Sequence, residues 1–124
     1  MNDKIIESKL SSLISLLVNR DFGTAGNFLL DKSVGAESIK DAIESYEFGD
    51  GINQVKLTMP PADAFAKQSI YPQSIKWAES AKATWILEFE LWFNNQPGDL
   101  TLICAVKEDH NGNFDILISD IRMM

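Results

Sequence analysis

The sequence predicts an α+β domain, with N-terminal helices packed on one face of a C-terminal antiparallel sheet of about four strands joined as a meander. Three observations carry this. Two apolar stripes at helical spacing lie in the first fifty residues, period-two alternation takes over in the last forty, and Asn-, Gly- and Pro-containing turns separate the alternating runs. With 124 residues, 45% of them hydrophobic and 23% charged, the chain can build one core and not two, so residues 1–124 read as a single domain.

Within "NDKIIESKLSSLISLLVNRDFG", Ile6, Leu10, Leu13, Ile14 and Leu17 share one helical face. Asn2 or Asp3 can cap the start and Gly23 stands near the end, which predicts a helix over about 3–19. "TAGNFLLDK" has room for a short helical turn. In "SVGAESIKDAIESYEFGDG", Ile39, Ile43 and Tyr46 form a second stripe, with Ser33 as candidate cap and Gly49 and Gly51 as stops. Residues 50–72 contain Pro60, Pro61 and Pro72 and read as an irregular crossover, in which "PADAFAKQ" can start a short helix at a proline.

Beyond the crossover, "SIKW" reads as a short strand and "AESAK" as a turn. "ATWILEFELWFN", "LTLICAVKE" and "FDILISDIRM" are the main strands, separated by "NNQPGD" and by a tip containing Asn-Gly. If "NNQPGD" is a six-residue loop, Phe93 pairs with Leu100, Leu91 with Leu102 and Phe89 with Cys104. Either a two-residue turn at Asn111-Gly112 or a four-residue loop over 109–112 sets even residues of 100–106 beside odd residues of 117–121. One face then holds Trp85, Leu87, Phe89, Leu91, Phe93, Leu100, Leu102, Cys104, Val106, Leu117 and Ile121, a core face for the helices to cover. The other mixes Ile86, Glu88, Glu90, Trp92, Thr101, Ile103, Ala105, Lys107, Ile116, Ile118, Asp120 and Arg122.

The tip "KEDHNGNFD" resembles a calcium loop in composition but not in spacing. Counted from Asp109 its glycine is fourth and its twelfth residue is Asp120, whereas an EF-hand needs glycine sixth and glutamate twelfth. Cys104 and His110 are the only residues of their kinds, which excludes internal disulfides and multi-Cys or two-His metal sites. In "LTLICAV" the cysteine reads as core, and His110 as decoration of a turn. No phosphate-binding glycine loop, nucleophile elbow or H-E-x-x-H is present, and Glu88 with Glu90 is a weak signal for paired-carboxylate chemistry, so neither catalysis, metal nor cofactor is expected. No membrane span or secretory leader is read, and a cytoplasmic location is expected.

Charge is unevenly spread. Residues 1–87 carry 11 acidic and 9 basic groups, and residues 88–124 carry 7 and 2. Such a field disfavours nucleic acid and favours basic protein surfaces.

The strand motifs "WILEFELWF", "DLTLICAVKED" and "FDILISDIRMM", in this order after two helices, resemble a family of small bacterial domains of unknown function. The layout is also similar to cystatin-like and nuclear-transport-factor-like half-cones, and small acidic α+β chains of this type resemble immunity proteins. That last resemblance implies an inhibitor of a basic toxin domain such as a nuclease, with Glu88, Glu90 and Asp120 supplying charge and Trp92 and Ile103 an apolar anchor. Asp41, Glu44, Glu47 and Asp50 form a second acidic candidate. Two other readings stand: a small-molecule or enzymatic half-cone with Tyr46, Phe65, Tyr71 and Trp77 at its mouth, and a homodimer through the mixed face.

Overall fold

The first apolar stripe forms helix α1 (Asp3–Val18) in the computed structural model, which describes residues 3–123. Ile6, Leu10, Ile14 and Leu17 on that stripe are fully buried. The candidate cap Asn2 lies outside the described residues, as does the Asp3 side chain. The stop is not Gly23. The Asp21 N–H donates to Leu16 O (2.9 Å) and the Arg20 N–H to Leu17 O (3.1 Å), a Schellman closure that holds Arg20 at φ +63°. Gly23 falls inside the next short helix, α2 (Phe22–Ala25), which leads into a 3₁₀ turn over Gly26–Phe28.

Helix α3 (Ala36–Phe48) buries Ile39 and Ile43. Gly35, not Ser33, precedes it, because Ser33 is tied locally: its N–H and hydroxyl both donate to the Asp31 carboxylate, at 3.0 and 2.6 Å. The crossover supplies β1 (Leu57–Thr58), a 3₁₀ turn over Ala62–Lys67 entered from Pro61, β2 (Ser69–Pro72) and a 3₁₀ turn over Lys76–Ala78. The strand expected at "SIKW" therefore sits earlier, at "SIYP". Pro72 pairs with Trp85 at the start of the long strand β3 (Ala83–Phe93), so residues 75–78 run past its end with no ladder to join.

Among the described residues the sheet has five strands. Strands β1 and β2 occupy successive stretches of one edge of β3, followed by β4 (Gln96–Glu108) and β5 (Phe114–Met123), all antiparallel. The six-residue loop "NNQPGD" is instead a two-residue turn: Asn94 and Asn95 have φ +52° and +64°, and Phe93 pairs with Gln96. Asparagine tolerates that region, and the turn's twist suits a hairpin. Phe89 accordingly pairs with Leu102 rather than Cys104, with a bulge between Glu90 and Trp92. The shift is by two residues, so every side chain of β3 and β4 keeps its face.

The β5 assignment is different, because there the shift is by one. The Asp109 carboxylate accepts the N–H of Asn111 (2.8 Å) and of Asn113 (2.9 Å), shaping a five-residue loop, and Glu108 pairs with Phe114. A one-residue slip reverses faces. Phe114, Ile116 and Ile118 thus enter the core, and Leu117 lies outside. Ser119 then falls in a bulge, the original parity returns, and Ile121 packs on the core as expected.

The inner face, with Leu87, Leu91, Leu102 and Cys104 fully buried, meets α1 and α3 in one core, and Phe65 stacks on Phe89 at 5.4 Å. Tyr46 of α3 packs on Phe93 at 4.3 Å, and its hydroxyl accepts the Asp99 N–H at 3.0 Å. A Cβ on Gly98 would stand 2.7 Å from the Phe93 ring and 3.1 Å from the Tyr46 hydroxyl. Gly98→Ala is therefore expected to destabilise by about 1–2 kcal/mol through overpacking, read as a lower denaturant midpoint; an unchanged midpoint would mean that this corner is loose.

Candidate functional site

All three α-helices contribute to the inner core, so the outer face of the sheet is left to the crossover. At one end the crossover does cover it: Trp77 lies over Lys107, with the ammonium 4.6 Å from the ring centroid. At the other end Glu88, Glu90, Trp92 and Thr101 floor an open cleft of about 440 Å³, walled by Ala64, Lys67 and Ser69 on one side. Alternation along β3 puts the two glutamates and the indole on this face, and Ser69 is brought beside Glu88 by strand pairing. Trp92 is half-buried and Glu90 exposed.

Electrostatically the face sorts itself. Lys107 pairs with Asp115 and Arg122 with Asp120, each at 3.7 Å. Among the described residues Glu88 and Glu90 form no ion pair, so theirs is the uncompensated charge on the face, with Lys67 at the rim. Asp120 is exposed but shared with Arg122, and its carboxylate also accepts the Ile121 N–H. Ile103 is only 5% exposed, boxed in by its strand neighbours, and offers little surface for an anchor. Tyr71, 41% exposed and paired with Ile86, extends the outer face with an aromatic ring. Its place on a strand was hidden by the misplacement of that strand to "SIKW".

The second acidic run divides. Asp41 and Glu44 are exposed on α3. Asp50 is spent on its own loop, accepting the N–H of Ile52 (2.9 Å) and of Asn53 (3.1 Å), bonds that hold its pKa below the ordinary carboxylate value. Glu47 receives both terminal nitrogens of Arg20, at 2.7 and 2.5 Å, and the Leu57 N–H at 2.7 Å. Partial burial pushes the Glu47 carboxyl up, but the Arg20 and Leu57 bonds and nearby Lys56 outweigh it and leave the pKa lowered. Glu47 is a clamp that ties α3 to the turn after α1 and to β1. The sequence carries no local sign of this, since Arg20 is twenty-seven residues away.

Nor do the four aromatic residues read as a pocket mouth converge. Tyr46 and Phe65 pack in the core, Tyr71 lies on the outer face and Trp77 over Lys107. Cys104 is fully buried, with its thiol pushed up to about 12 by that burial, while His110 sits at the exposed tip with a ring nitrogen 3.2 Å from Ser80 O. Among the described residues no three His, Cys, Asp or Glu side chains gather as a metal site, and no helix is long and apolar enough to cross a membrane.

A family model matches residues 14–124, from the middle of α1 through the whole sheet. The chain belongs to that family, a domain of unknown function (DUF7668). The resemblance read from the strand motifs to a family of this kind is thereby shown, and the DUF7668 segment includes every candidate residue named above. Searches of curated proteins and of solved structures return no match.

Proposed function

We propose that this protein works by binding another protein, as an immunity-type inhibitor that neutralises a basic toxin domain, with the open end of the outer sheet face as its contact surface. The observation that carries the reading is the pair Glu88 and Glu90, without ion-pair partners beside the half-buried indole of Trp92, in a chain of net charge −7. Fixed carboxylates on a rigid strand favour encounter with a cationic surface, and an indole flanked by them suits an arginine or lysine side chain. Trp92 with Tyr71 supplies apolar contact that Ile103 does not. Asp41 and Glu44 add to the long-range field from the far side. A cytoplasmic setting, where such inhibitors would meet their toxins, goes with this reading.

The experiment is a pull-down with the tagged chain from its native host at low and moderate salt, followed by kinetics with the protein captured. A small basic partner is expected, and Glu88→Lys with Glu90→Lys should slow its association by about tenfold to a hundredfold at low salt, with circular dichroism unchanged. Unaltered association by the folded double variant would remove this face from consideration. Recovery of the chain alone would favour self-association instead.

A further inference from the structure

Strand β5 is the free edge of the sheet, and part of that edge lies in a groove of about 470 Å³. Leu13, Leu16 and Phe28, interspersed with the polar Ser8, Lys9, Ser12 and Asn27, line the helix side, and Trp77 and Leu117 the outer side, with Asp115 and Ile116 between them. One residue of the edge is already taken. The Leu30 N–H donates to Ile118 O at 2.8 Å, beside a parallel bridge from Leu29 to Ile118. That bond shows that the main chain of Ile118 faces away from β4. Main-chain groups alternate sides along a strand, and pairing with β4 is unbroken from Phe114 to Ile118, so the N–H and C=O of Ile116 also face the open edge. Among the described residues nothing pairs with them.

We propose that this groove receives an extended segment of a partner protein, which adds to β5 as a further strand at Ile116. Unpaired donor and acceptor on the floor satisfy a peptide backbone, and the apolar part of each wall takes alternate side chains, one set toward Phe28 and the other toward Trp77. The recess decides the occupant. Two such edges, each set back between its own walls, cannot enter one another, so a second copy pairing β5 to β5 is disfavoured, whereas a single extended chain fits between the walls. Leu29 ends the site at Ile118, and the Asp109–Asn113 loop bounds it at the other end. The surface is separate from the glutamates of the cleft and stands independently of the toxin-inhibitor reading.

The test pans a random-peptide display library against the full chain and measures binding of the synthesised consensus peptide. Ser12 is exposed and lines the groove, so Ser12→Trp fills it from the helix surface without touching the core; Phe28, 40% exposed, allows Phe28→Ala as a second variant that removes a wall. Expected are an apolar consensus with alternate-position preference, an affinity loss of about tenfold or more in both folded variants, and slower hydrogen exchange at the Ile116 amide with peptide bound. Glu88→Lys with Glu90→Lys should leave this binding intact. The proposal is overturned by the absence of a consensus, by a consensus that binds Ser12→Trp as tightly as the parent, or by an Ile116 amide whose protection grows with protein concentration alone, which would place a second copy on the edge.

Discussion

Glu47→Gln is expected to lower the stability of the domain by about 2 kcal/mol, on the order of 5–10 °C in melting temperature. The Arg20 guanidinium and Glu47 carboxylate are 32% and 13% exposed, so the pair lies between a surface bridge worth little and a buried one whose rupture strands a charge. Removing the negative charge leaves the guanidinium half-buried beside a neutral amide, and weakens the acceptor for the Leu57 N–H that anchors β1. The sign with pH follows from the lowered carboxyl. Because the folded value lies below the unfolded one, the contribution is complete above the ordinary carboxylate range and is lost as pH falls through that range toward the folded value. Acid melting curves of the parent and Glu47→Gln should therefore converge at low pH. Parallel curves over that whole range would show that the pair adds nothing. Arg20→Gly provides a second check: it loses the same pair and strands the more buried carboxylate, but it also relieves a left-handed backbone, a strain of roughly 1 kcal/mol that offsets part of the loss.

Cys104 supplies the second large effect. Its side chain is fully buried in the central strand, and burial raises its thiol to about 12. A thiol reagent reaches it only through opening, and for a domain of about 5 kcal/mol stability the open fraction is on the order of 10⁻⁴. Labelling in the native state should thus run roughly a thousandfold or more slower than in denaturant. Fast native labelling would mean that β4 opens locally, and would reopen a chemical role for this residue. The raised value also makes stability fall as pH rises from the ordinary thiol range toward about 12, since the unfolded thiol ionises first.

Much of the architecture was legible because local patterns and global fold agree. The stripe Ile6, Leu10, Leu13, Ile14 and Leu17 is buried as its spacing implies, and the inner faces of β3 and β4 are those that alternation assigns. The wrong loop between those strands did no harm, because its error in register was even. At β5 an odd error exchanged Ile116 and Ile118 with Leu117. Of the candidate site, Glu88, Glu90 and Trp92 were read from alternation alone and do meet at one cleft, whereas Ile103 was taken for surface because a strand's pattern does not tell how closely its flanking strands crowd it.

By itself, the sequence determined what depends on neighbours within a few residues: helix faces, the existence and direction of the three long strands, the rejection of a calcium loop, and the mixed character of the outer face. Tertiary structure alone decided the rest. The count of residues in the Asp109–Asn113 loop is set by which backbone amides one carboxylate captures, and the Ser119 bulge by the need to return Ile121 to the core. Arg20 and Glu47 meet, and Trp77 closes a groove beside β5, because packing brings together segments far apart in the chain, and no local propensity encodes such meetings.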